Sequence, residues 1–569
     1  MNAVDDETSE KSNALRYRTN SEIPIVTAML MGFQHSMVSI AGILVIPASF
    51  SLCLNNHWHL VADIACAGEK TTYLRSQLIS STLIASGVMT LLQTTVGLRL
   101  SVLQGPAFAF IPPLYAFARQ PEMQCQWKST DYVPEEEYTG RLRMIIGSLL
   151  AAGCVQALLG ATGLIGILAK RVGPLTICPL MLLLCIGNVP IVLQKSSSHW
   201  ISLIQFGFLL LFVFYTGDLK VPILTYHDGH FKVIHFRLFG TFPYLISILL
   251  VCSLAAVLTY TDIEPREGVA RVDRSLNVIR LSPWIQIPYP GQFGLSSINF
   301  GLLLGLLSSC IACSIESLGA YQTLSRVSEE VTPPSHSLNR ATLIQGIGCI
   351  LSSLMGCSVG ITAYSENIAV VAITKMASRR IIQFTGLIFI MLGVFTKFAA
   401  LAASVPDPIV GAVFGMSVCL VTGVSLSNLQ NVDLKVSRNL SILGLSIILG
   451  IIIPTYIEQT PINTGIDALD QPLNILFATR MFVGGLIAFI LDNTSKYQLA
   501  KTATQHNDEE DVNLEMKQTT VDNGYDFSYE MNRLLIRIPL LCRLPFMPPK
   551  TYLRNRLNAK ERETVLMPD

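Results

Sequence analysis

The stretch "GITAYSENIAVVAITK", residues 360–375, places a carboxylate, Glu366, inside a long apolar part of the chain. The amide Asn367 follows it directly, and the phenol Tyr364 precedes it by two residues. A charged side chain at the centre of a membrane helix costs about 2.5–3.5 kcal/mol on insertion scales. Such a residue is kept where it lines a cavity or meets a partner, so this stretch predicts a functional site inside a membrane segment.

The composition of the 569-residue chain is that of a membrane protein. Hydrophobic residues make up 51% and charged residues only 14%, and the mean hydropathy is +0.49. These values exclude a disordered chain and an ordinary soluble globule. The net charge of +1 gives no global field that would attract nucleic acid, so the expected partners are the lipid bilayer and a small solute.

Apolar stretches of about the length that a bilayer span requires recur along the chain and predict an all-α polytopic membrane protein. We expect about fourteen membrane segments, with approximate bounds of 25–50, 77–97, 102–118, 144–168, 174–193, 200–217, 241–260, 298–321, 341–359, 361–375, 381–403, 409–427, 440–456 and 475–492. An even number of segments places both termini on one side. Short loops on that side carry most of the Lys and Arg of the second half, so the tails 1–23 and 493–569 are expected in the cytoplasm.

Two of the predicted segments are unusually short and are interrupted by small residues and proline. They are "SVLQGPAFAFIPP", residues 101–113, and "GITAYSENIAVVAIT", residues 360–374, the third and the tenth segments. Paired interrupted segments at corresponding places in two halves of a chain are typical of a transporter whose site lies at the midplane, between inverted repeats. The pair therefore predicts two inverted seven-segment repeats.

Few ionisable residues fall inside the predicted segments, and Glu316 and Glu366 stand out among them. Each alone could form only a structural hydrogen bond to a neighbouring helix, but two of them beside Gly and Ser favour a functional role. His35, next to Gln34 in "GFQHSM", is open to a packing or a functional role. Ionised carboxylates only accept hydrogen bonds, so they suit the N–H donors of a pyrimidine or purine, and Phe108 offers a ring for stacking.

The motifs around these residues resemble those of the nucleobase–ascorbate transporter family, over nearly all of residues 24–493. The later motifs are similar to the animal branch, which includes the sodium-dependent vitamin C transporters. The strings that carry the resemblance are "GFQHSM", "QGPAFAF", "SIESLG", "SENIAVVAITK", "PDPIVGAVF", "SNLQNVDLKVSRNL" and "MFVGGLIAFILDNT".

This resemblance implies a division of the fold into two domains. The core domain would comprise residues 24–173 and 298–408, and the gate domain residues 174–297 and 409–492. The third and tenth segments would each contain a short strand. The resemblance further implies a multi-pass plasma-membrane protein that forms a homodimer and transports by an elevator motion of core against gate.

The resemblance also implies roles for individual residues. The expected substrate-binding residues are Glu316, Glu366, Asn367 and Phe108, with their neighbours Tyr364, Ser365 and Ala107. The candidates for coupling or gating are Gln34, His35, Ala320 and Thr374. No cofactor and no resident metal are expected, and the coupling ion is Na+ or H+.

The opening stretch discriminates between the substrates of the family. "TAYSEN", residues 362–367, resembles the Thr-x-Tyr-x-Glu-Asn of bacterial uracil permeases, whereas vitamin C transporters have Pro in place of Glu366. An ascorbate anion about 4 Å from an ionised Glu366 would be repelled by about 4 kcal/mol at an effective dielectric constant of about 20. A neutral imide would instead gain a charge-assisted hydrogen bond worth about 1.5–3 kcal/mol. The predicted substrate is therefore uracil, xanthine, uric acid or a similar base, and sodium-dependent ascorbate transport is the alternative.

Other interpretations follow from positions where the sequence departs from the family motifs, and from less specific features of the chain. Ala320 stands where sodium-coupled relatives have Asp and a proton-coupled bacterial relative has His, which leaves open a non-coupled facilitator or a receptor-like protein.

A membrane enzyme is not expected, because the sequence has no nucleophile–base pair, metal cluster or phosphate loop. A Cys66–Cys125 disulfide is left open. The run "RLLIRIPLLCRLPFMPP" of the C-terminal tail is either an amphipathic anchor on the membrane or part of a partly ordered tail.

Overall fold

The computed structural model describes the chain except for residues 1–14, 49–70, 119–134, 218, 228–229, 266–267, 274–278, 281, 295–296, 466, 496–523, 539–540 and 567–569. Cys66 and Cys125 therefore lie outside the described residues.

The first half of the chain is mostly helical. Its helices are α1 (Ile25–Ala48), α2 (Thr71–Thr95), α3 (Ile111–Ala118), α4 (Glu135–Thr162), α5 (Leu164–Ala169), α6 (Pro174–Ser196), α7 (Ile201–Leu210), α8 (Leu238–Thr241) and α9 (Pro243–Tyr260). A π-helical turn, Leu211–Tyr215, continues α7. The strands are β1 (Gln104–Pro106) and the hairpin β2 (Val221–His227) and β3 (His230–Phe236). Helices α6 and α9 begin with proline, whose missing N–H leaves no bond unmade at the first helical position.

The second half is built in the same way. Its helices are α10 (Phe300–Val327), α11 (Ser335–Leu354), α12 (Ser365–Thr374), α13 (Arg379–Val394), α14 (Thr396–Ala403), α15 (Asp407–Ser427), α16 (Ser437–Gln459), α17 (Asp467–Ala478), α18 (Arg480–Thr494), α19 (Tyr529–Arg537) and α20 (Lys550–Leu566), and its described strand is β4 (Ile361–Ala363). By length and hydropathy alone, seven of the described helices could cross a bilayer. Exposed apolar side chains lie on the outer faces of these and of shorter described helices, as at Leu203, Phe214, Leu249, Met391 and Ile452.

The two interrupted segments meet each other inside the molecule. Each begins as a strand and then turns into a short helix, β1 into a 3-10 turn at Phe108–Phe110 followed by α3, and β4 into α12. The strands pair antiparallel, with Gln104 opposite Ala363 and Pro106 opposite Ile361. The proline stands at an end of a two-stranded ribbon, where its lack of an N–H removes no ladder bond from a central strand. The short helices therefore extend in opposite directions from one strand pair.

The longer helices form two packing groups. In the first, α4 packs on α10 and α11, and α2 packs on α1, α11 and α13. In the second, α6 packs on α15, α16 and α18, and α7 packs on α9 and α15. The contacts of α1 and α12 with α15, and of α10 with α6, join the two groups. The strand pair belongs to the first group, because β1 contacts α1 and α2, and β4 contacts α10 and α11.

Several helix bounds differ from those expected. The fourth segment starts earlier, at Glu135, and breaks at Gly163, whose φ of 82° lies in the left-handed region that glycine adopts without a steric penalty. The eleventh segment breaks at Phe395, and the last one breaks at Thr479. Mostly apolar residues flank all three breaks, although Lys397 and Arg480 lie close to two of them, so averaged hydropathy predicts single uninterrupted segments there.

The C-terminal tail docks on the ends of the first helix group. Tyr525 is buried and donates a hydrogen bond from its hydroxyl to the Val331 carbonyl oxygen at 2.8 Å. Arg340 of α11 donates from Nη2 to the Tyr525 carbonyl at 3.3 Å and lies over the Phe527 ring at 4.5 Å. Helix α19 buries Leu535 but leaves Met531 and Leu534 exposed. The tail is therefore an ordered element over its described residues, with an apolar face toward the surroundings.

Replacing Arg340 with Leu is expected to release this tail. The change removes the bonds to Tyr525 and to the Gly97 carbonyl (2.7 Å from Nε) and the contact with Phe527. Of these, the bond to Tyr525 and the contact with Phe527 hold the tail and contribute about 2–4 kcal/mol to docking, whereas the Gly97 bond joins α11 to the end of α2. Limited proteolysis should then cleave the tail about ten-fold faster or more, because cleavage follows the population of the open form. Arg326→Leu is the control, since Arg326 is exposed and, among the described residues, bonds within its own helix. Equal cleavage of both variants would contradict the expectation.

Candidate functional site

Tyr364 holds the strand pair together at the start of α12. Its backbone N–H donates to the Leu103 carbonyl at 3.0 Å, and its hydroxyl donates to the Pro106 carbonyl at 3.1 Å. The ring passes close to α1, because a Cβ built on Gly42 would lie 2.4 Å from the Tyr364 hydroxyl oxygen. Gly42 is thus a position where helix and ring approach too closely for a larger residue.

Both short helices begin at this strand pair. A helix starts with backbone N–H groups that have no partner within the helix, and its first turn carries partial positive charge. Ser365 opens α12, and its buried hydroxyl has no hydrogen-bond partner among the described residues. The beginning of α12 is therefore suited to bind acceptor atoms of a solute.

Glu316 and Glu366 are the two carboxylates of this region. Glu316 lies in the middle of α10 with 7% of its surface exposed, and Glu366 is the second residue of α12 with 8% exposed. In the described part of the chain, neither has an ion-pair partner or a bond to another side chain. Burial of a carboxylate is costly unless hydrogen bonds compensate it. A solute that presents N–H donors would supply those bonds.

Neighbouring hydroxyl and amide groups fix the position of α10 relative to the strands. The Thr362 hydroxyl oxygen in β4 lies 3.1 Å from the Ser317 hydroxyl oxygen and 3.4 Å from Gln345 Nε2. Ser317 follows Glu316 directly, so this contact holds the carboxylate-bearing turn of α10 against β4. Gln345 has no charge and belongs to no quoted motif, and Thr362 begins the "TAYSEN" motif but was not among the expected site residues.

Asn367 connects α12 to α1. Its Nδ2 lies 3.0 Å from His35 Nδ1 and donates to the His35 carbonyl oxygen at 3.1 Å. Because the amide nitrogen is a donor, His35 Nδ1 acts as the acceptor. The Ser39 hydroxyl lies 2.8 Å from Asn367 Oδ1 and from the His35 carbonyl. His35 thus takes part in a buried helix–helix link, and Ser39 is a member of it that sequence reasoning missed.

The link predicts a marked effect of Asn367→Ala. The variant loses every bond between Asn367 and α1, which costs about 1–3 kcal/mol in the free energy of unfolding because the groups are buried. Ser39→Ala removes only one donor and should cost about 0.5–1.5 kcal/mol. Thermal melting of the purified protein should therefore rank wild type above Ser39→Ala and Ser39→Ala above Asn367→Ala. The reverse order would show that the link does not hold α12 against α1.

Phe108 lies between the two helix groups. Its ring centroid is 5.1 Å from that of Phe414 in α15, with the planes inclined by 43°. A tilted aromatic pair of this kind is a favourable contact, and a flat heterocycle could replace one of its members. Phe414 belongs to "PDPIVGAVF" but was not expected in the site, because its distance along the chain from Phe108 hides the contact.

The remaining candidate site residues lie at different places relative to the β1–β4 strand pair. Ala107 is buried, and its N–H donates to the Gly360 carbonyl at 2.9 Å. Gln34 is buried, and its Oε1 has no partner among the described residues. Ala320 packs in an apolar cluster with Tyr321 and Leu324. Thr374 is half-buried at the far end of α12 and bonds to the Val370 carbonyl within its own helix. Ala107 thus adjoins the strands, whereas Thr374 lies away from them.

Helices long and apolar enough to cross a membrane, together with buried carboxylates that have no ion-pair partner among the described residues, are typical of a membrane transporter. Residues 26–459 match the Xan_ur_permease model, which is described as a permease family. Solute carrier family 23 member 2 of Mus musculus is 36% identical over 484 residues, which are 83% of this chain and 73% of that protein. Nucleobase-ascorbate transporter 1 of Arabidopsis thaliana is 30% identical over 506 residues, 86% of this chain and 91% of that protein. The chain belongs to the nucleobase–ascorbate transporter family, so the predicted membership is confirmed.

Among solved structures, the murine solute carrier 26 family member A9, an anion transporter in the inward-facing state, is similar over 75% of this chain and 66% of its own. The sequence identity is 13% and the TM-score is 0.42.

Proposed function

We propose that this transporter is a secondary active carrier that takes up a nucleobase such as uracil, xanthine or uric acid. The observation that carries the proposal is the pair of buried carboxylates, Glu316 and Glu366, without a cationic partner in the described part of the chain. Each would accept hydrogen bonds from the ring N–H groups of a base. The N–H groups at the start of α12 would bind its carbonyl oxygens, and Phe108 would stack on its ring.

Ascorbate fits these groups less well. It is an anion at neutral pH, and each ionised carboxylate at about 4 Å would oppose it by about 4 kcal/mol at an effective dielectric constant of about 20. A neutral base avoids this repulsion and gains about 1.5–3 kcal/mol for each charge-assisted bond. Ascorbate transport remains the alternative function because the animal relatives of the chain share so much of its sequence.

The transport mechanism that we propose is an elevator motion within fourteen spans. The helix pairs α13–α14 and α17–α18, and each strand with its short helix, would count as one span. Residues 24–173 and 298–408 would form the core, residues 174–297 and 409–492 the gate. The two packing groups of helices support this division. A homodimer in the plasma membrane, with the tails 1–23 and 493–569 in the cytoplasm, completes the proposal.

The proposed function includes coupling of base transport to a cation, for which a proton fits the site better than Na+. Ala320 is buried and apolar, so at this position no carboxylate attracts Na+. A proton on one of the two carboxylates would serve instead, because protonation cancels the charge that keeps a buried carboxylate costly. The same Ala320 favours a second candidate, a facilitator that moves the base without any coupled ion.

Uptake by cells that lack their own nucleobase transport tests the proposal. Labelled uracil, xanthine and ascorbate are supplied with and without sodium, at acidic and at neutral pH. Uptake of a base, stimulated by acid and not by sodium, is the expected result. Uptake of a base that responds to neither ion identifies the facilitator. Sodium-dependent uptake of ascorbate alone would overturn the proposal.

A further inference from the structure

A cavity away from the carboxylates opens at one end of the first helix group. It has a volume of about 300 Å³ and is enclosed by three segments: the stretch before α1, the end of α2, and the beginning of α13. Its lining includes Thr19, Ser21, Arg99, Arg379, Arg380 and Gln383. A water molecule occupies roughly 30 Å³ of liquid, so this space would hold on the order of ten of them. We call it the arginine cavity.

The lining of the arginine cavity is strongly basic. Three guanidinium groups border it, and its lining contains no Asp or Glu. Arg380 pairs with Glu22 at 2.7 Å, an ion pair in which the carboxylate side chain is 84% exposed. Arg379 donates from Nη2 to Asn20 Oδ1. Each guanidinium has five N–H donors.

Hydrogen bonds to backbone carbonyl oxygens hold the walls of the cavity in place. The Ala377 N–H donates to the Tyr17 carbonyl at 2.9 Å, and the Arg379 N–H donates to the Thr19 carbonyl at 3.2 Å. The Ser378 hydroxyl donates to the Ser21 carbonyl at 3.0 Å. The segment before α1 therefore lies fixed along the start of α13, which preforms the space between them.

Two buried donors at this cavity have no hydrogen-bond partner among the described residues. They are the hydroxyl of Thr19, a residue with 1% of its surface exposed, and Nε of Arg99. A buried donor without an acceptor is destabilising. Both residues line the arginine cavity.

Arg99 is held toward the cavity against its local preferences. Its φ of 69° lies in the left-handed region, which non-glycine residues rarely adopt. Nη1 donates to the Thr95 carbonyl at 2.6 Å, and the guanidinium lies over the Phe527 ring of the docked tail at 5.1 Å. Burial and then the charge of Arg379 lower the pKa of Arg99 to about 10, while the Asp526 carboxylate raises it in part. At neutral pH both guanidinium groups remain charged beside each other. An anion between them would relieve this repulsion.

We propose that the arginine cavity binds a phosphate ester. Guanidinium groups form paired bonds with phosphate oxygens, and an anion with several acceptor oxygens could bind Arg99, Arg379 and Arg380 at once. The cavity lies just before α1, whose first residues Ile25 and Val26 are exposed and apolar. Membrane lipid can therefore lie beside it, and the phosphate arrives either on a lipid headgroup or on a soluble ester.

Binding of defined probes to the purified full-length protein tests this assignment. The lipid probe is nanodiscs with and without phosphatidylinositol 4-phosphate, and the soluble probe is glycerol phosphate. Specific binding of either probe is expected, at least ten-fold weaker in Arg99→Gln and in Arg379→Gln. Binding of the lipid alone identifies a headgroup, and binding of both identifies any accessible phosphate ester.

Two further variants keep the test decisive. Arg326→Gln makes the same change at an exposed position outside the cavity and should bind like wild type. Arg99→Lys keeps the charge but not the planar fork, so it should bind more tightly than Arg99→Gln and more weakly than wild type. Melting temperatures without probe show whether each variant is folded. Absence of binding of both probes by wild type, or equal binding by wild type and the two folded Gln variants, overturns the proposal.

Discussion

Glu366→Gln is expected to reduce the affinity for a nucleobase by about 10- to 100-fold. The amide keeps the shape of the carboxylate, but it loses the charge and places an NH2 donor beside the N–H groups of the base. A charge-assisted hydrogen bond contributes about 1.5–3 kcal/mol, and each 1.4 kcal/mol changes a binding constant about ten-fold. Glu316→Gln should have an effect of the same size. Concentration-dependent uptake of labelled uracil measures both.

A surface change of the same chemistry serves as the control for these variants. Glu530→Gln alters an exposed residue of α19 and should leave uptake unchanged. If Glu366→Gln and Glu316→Gln reach the membrane in normal amounts and transport the base like Glu530→Gln, the carboxylates do not bind it. They would then be structural residues.

Gly42→Ala is expected to abolish most transport through a clash with one atom. The added methyl group would lie 2.4 Å from the Tyr364 hydroxyl oxygen and 3.1 Å from Tyr364 Cζ. Overpacking in a well-packed interior typically costs about 1–3 kcal/mol, and here the strain falls on the residue that joins β1 to β4. Uptake at equal surface expression measures the effect. Gly444→Ala, at a helical glycine with open space around it, should transport like wild type.

A second substitution distinguishes this clash from a general defect of α1. Tyr364→Phe removes the hydroxyl oxygen and leaves 3.1 Å between the new methyl group and Cζ, a distance that small shifts accommodate. The double variant Gly42→Ala/Tyr364→Phe should therefore transport better than Gly42→Ala alone. A double variant no better than the single one would place the defect elsewhere.

The sequence predicts those residues of the site whose chemistry is unfavourable in an apolar helical segment. A carboxylate in an apolar segment and a proline in a short one are visible because hydrocarbon penalises charge and helices exclude proline. Glu316, Glu366 and the two interrupted segments are of this kind. That the segments pair as strands, Gln104 opposite Ala363, follows from tertiary contacts over a long separation, which spacing along the chain does not encode.

Residues whose importance depends on a neighbour in space could not be found in this way. Ser39 and Thr362 are common residues of membrane helices and strands, and only their partners make them part of the site. Gly42 is one of many glycines, distinguished only by the ring that lies against it. Arg340 lies near the end of a predicted segment, and its burial arises from the docked tail. Phe414 likewise acquires its role from Phe108.

Equilibrium binding of labelled uracil to the purified protein, with unlabelled ascorbate as competitor, tests the central claim most directly. It separates recognition at the carboxylates from coupling and from trafficking, since no transport is required. We predict saturable binding of a neutral base that ascorbate does not displace, and loss of that binding in Glu316→Gln and Glu366→Gln. Saturable binding of ascorbate that both variants retain would contradict the claim that these carboxylates select a nucleobase.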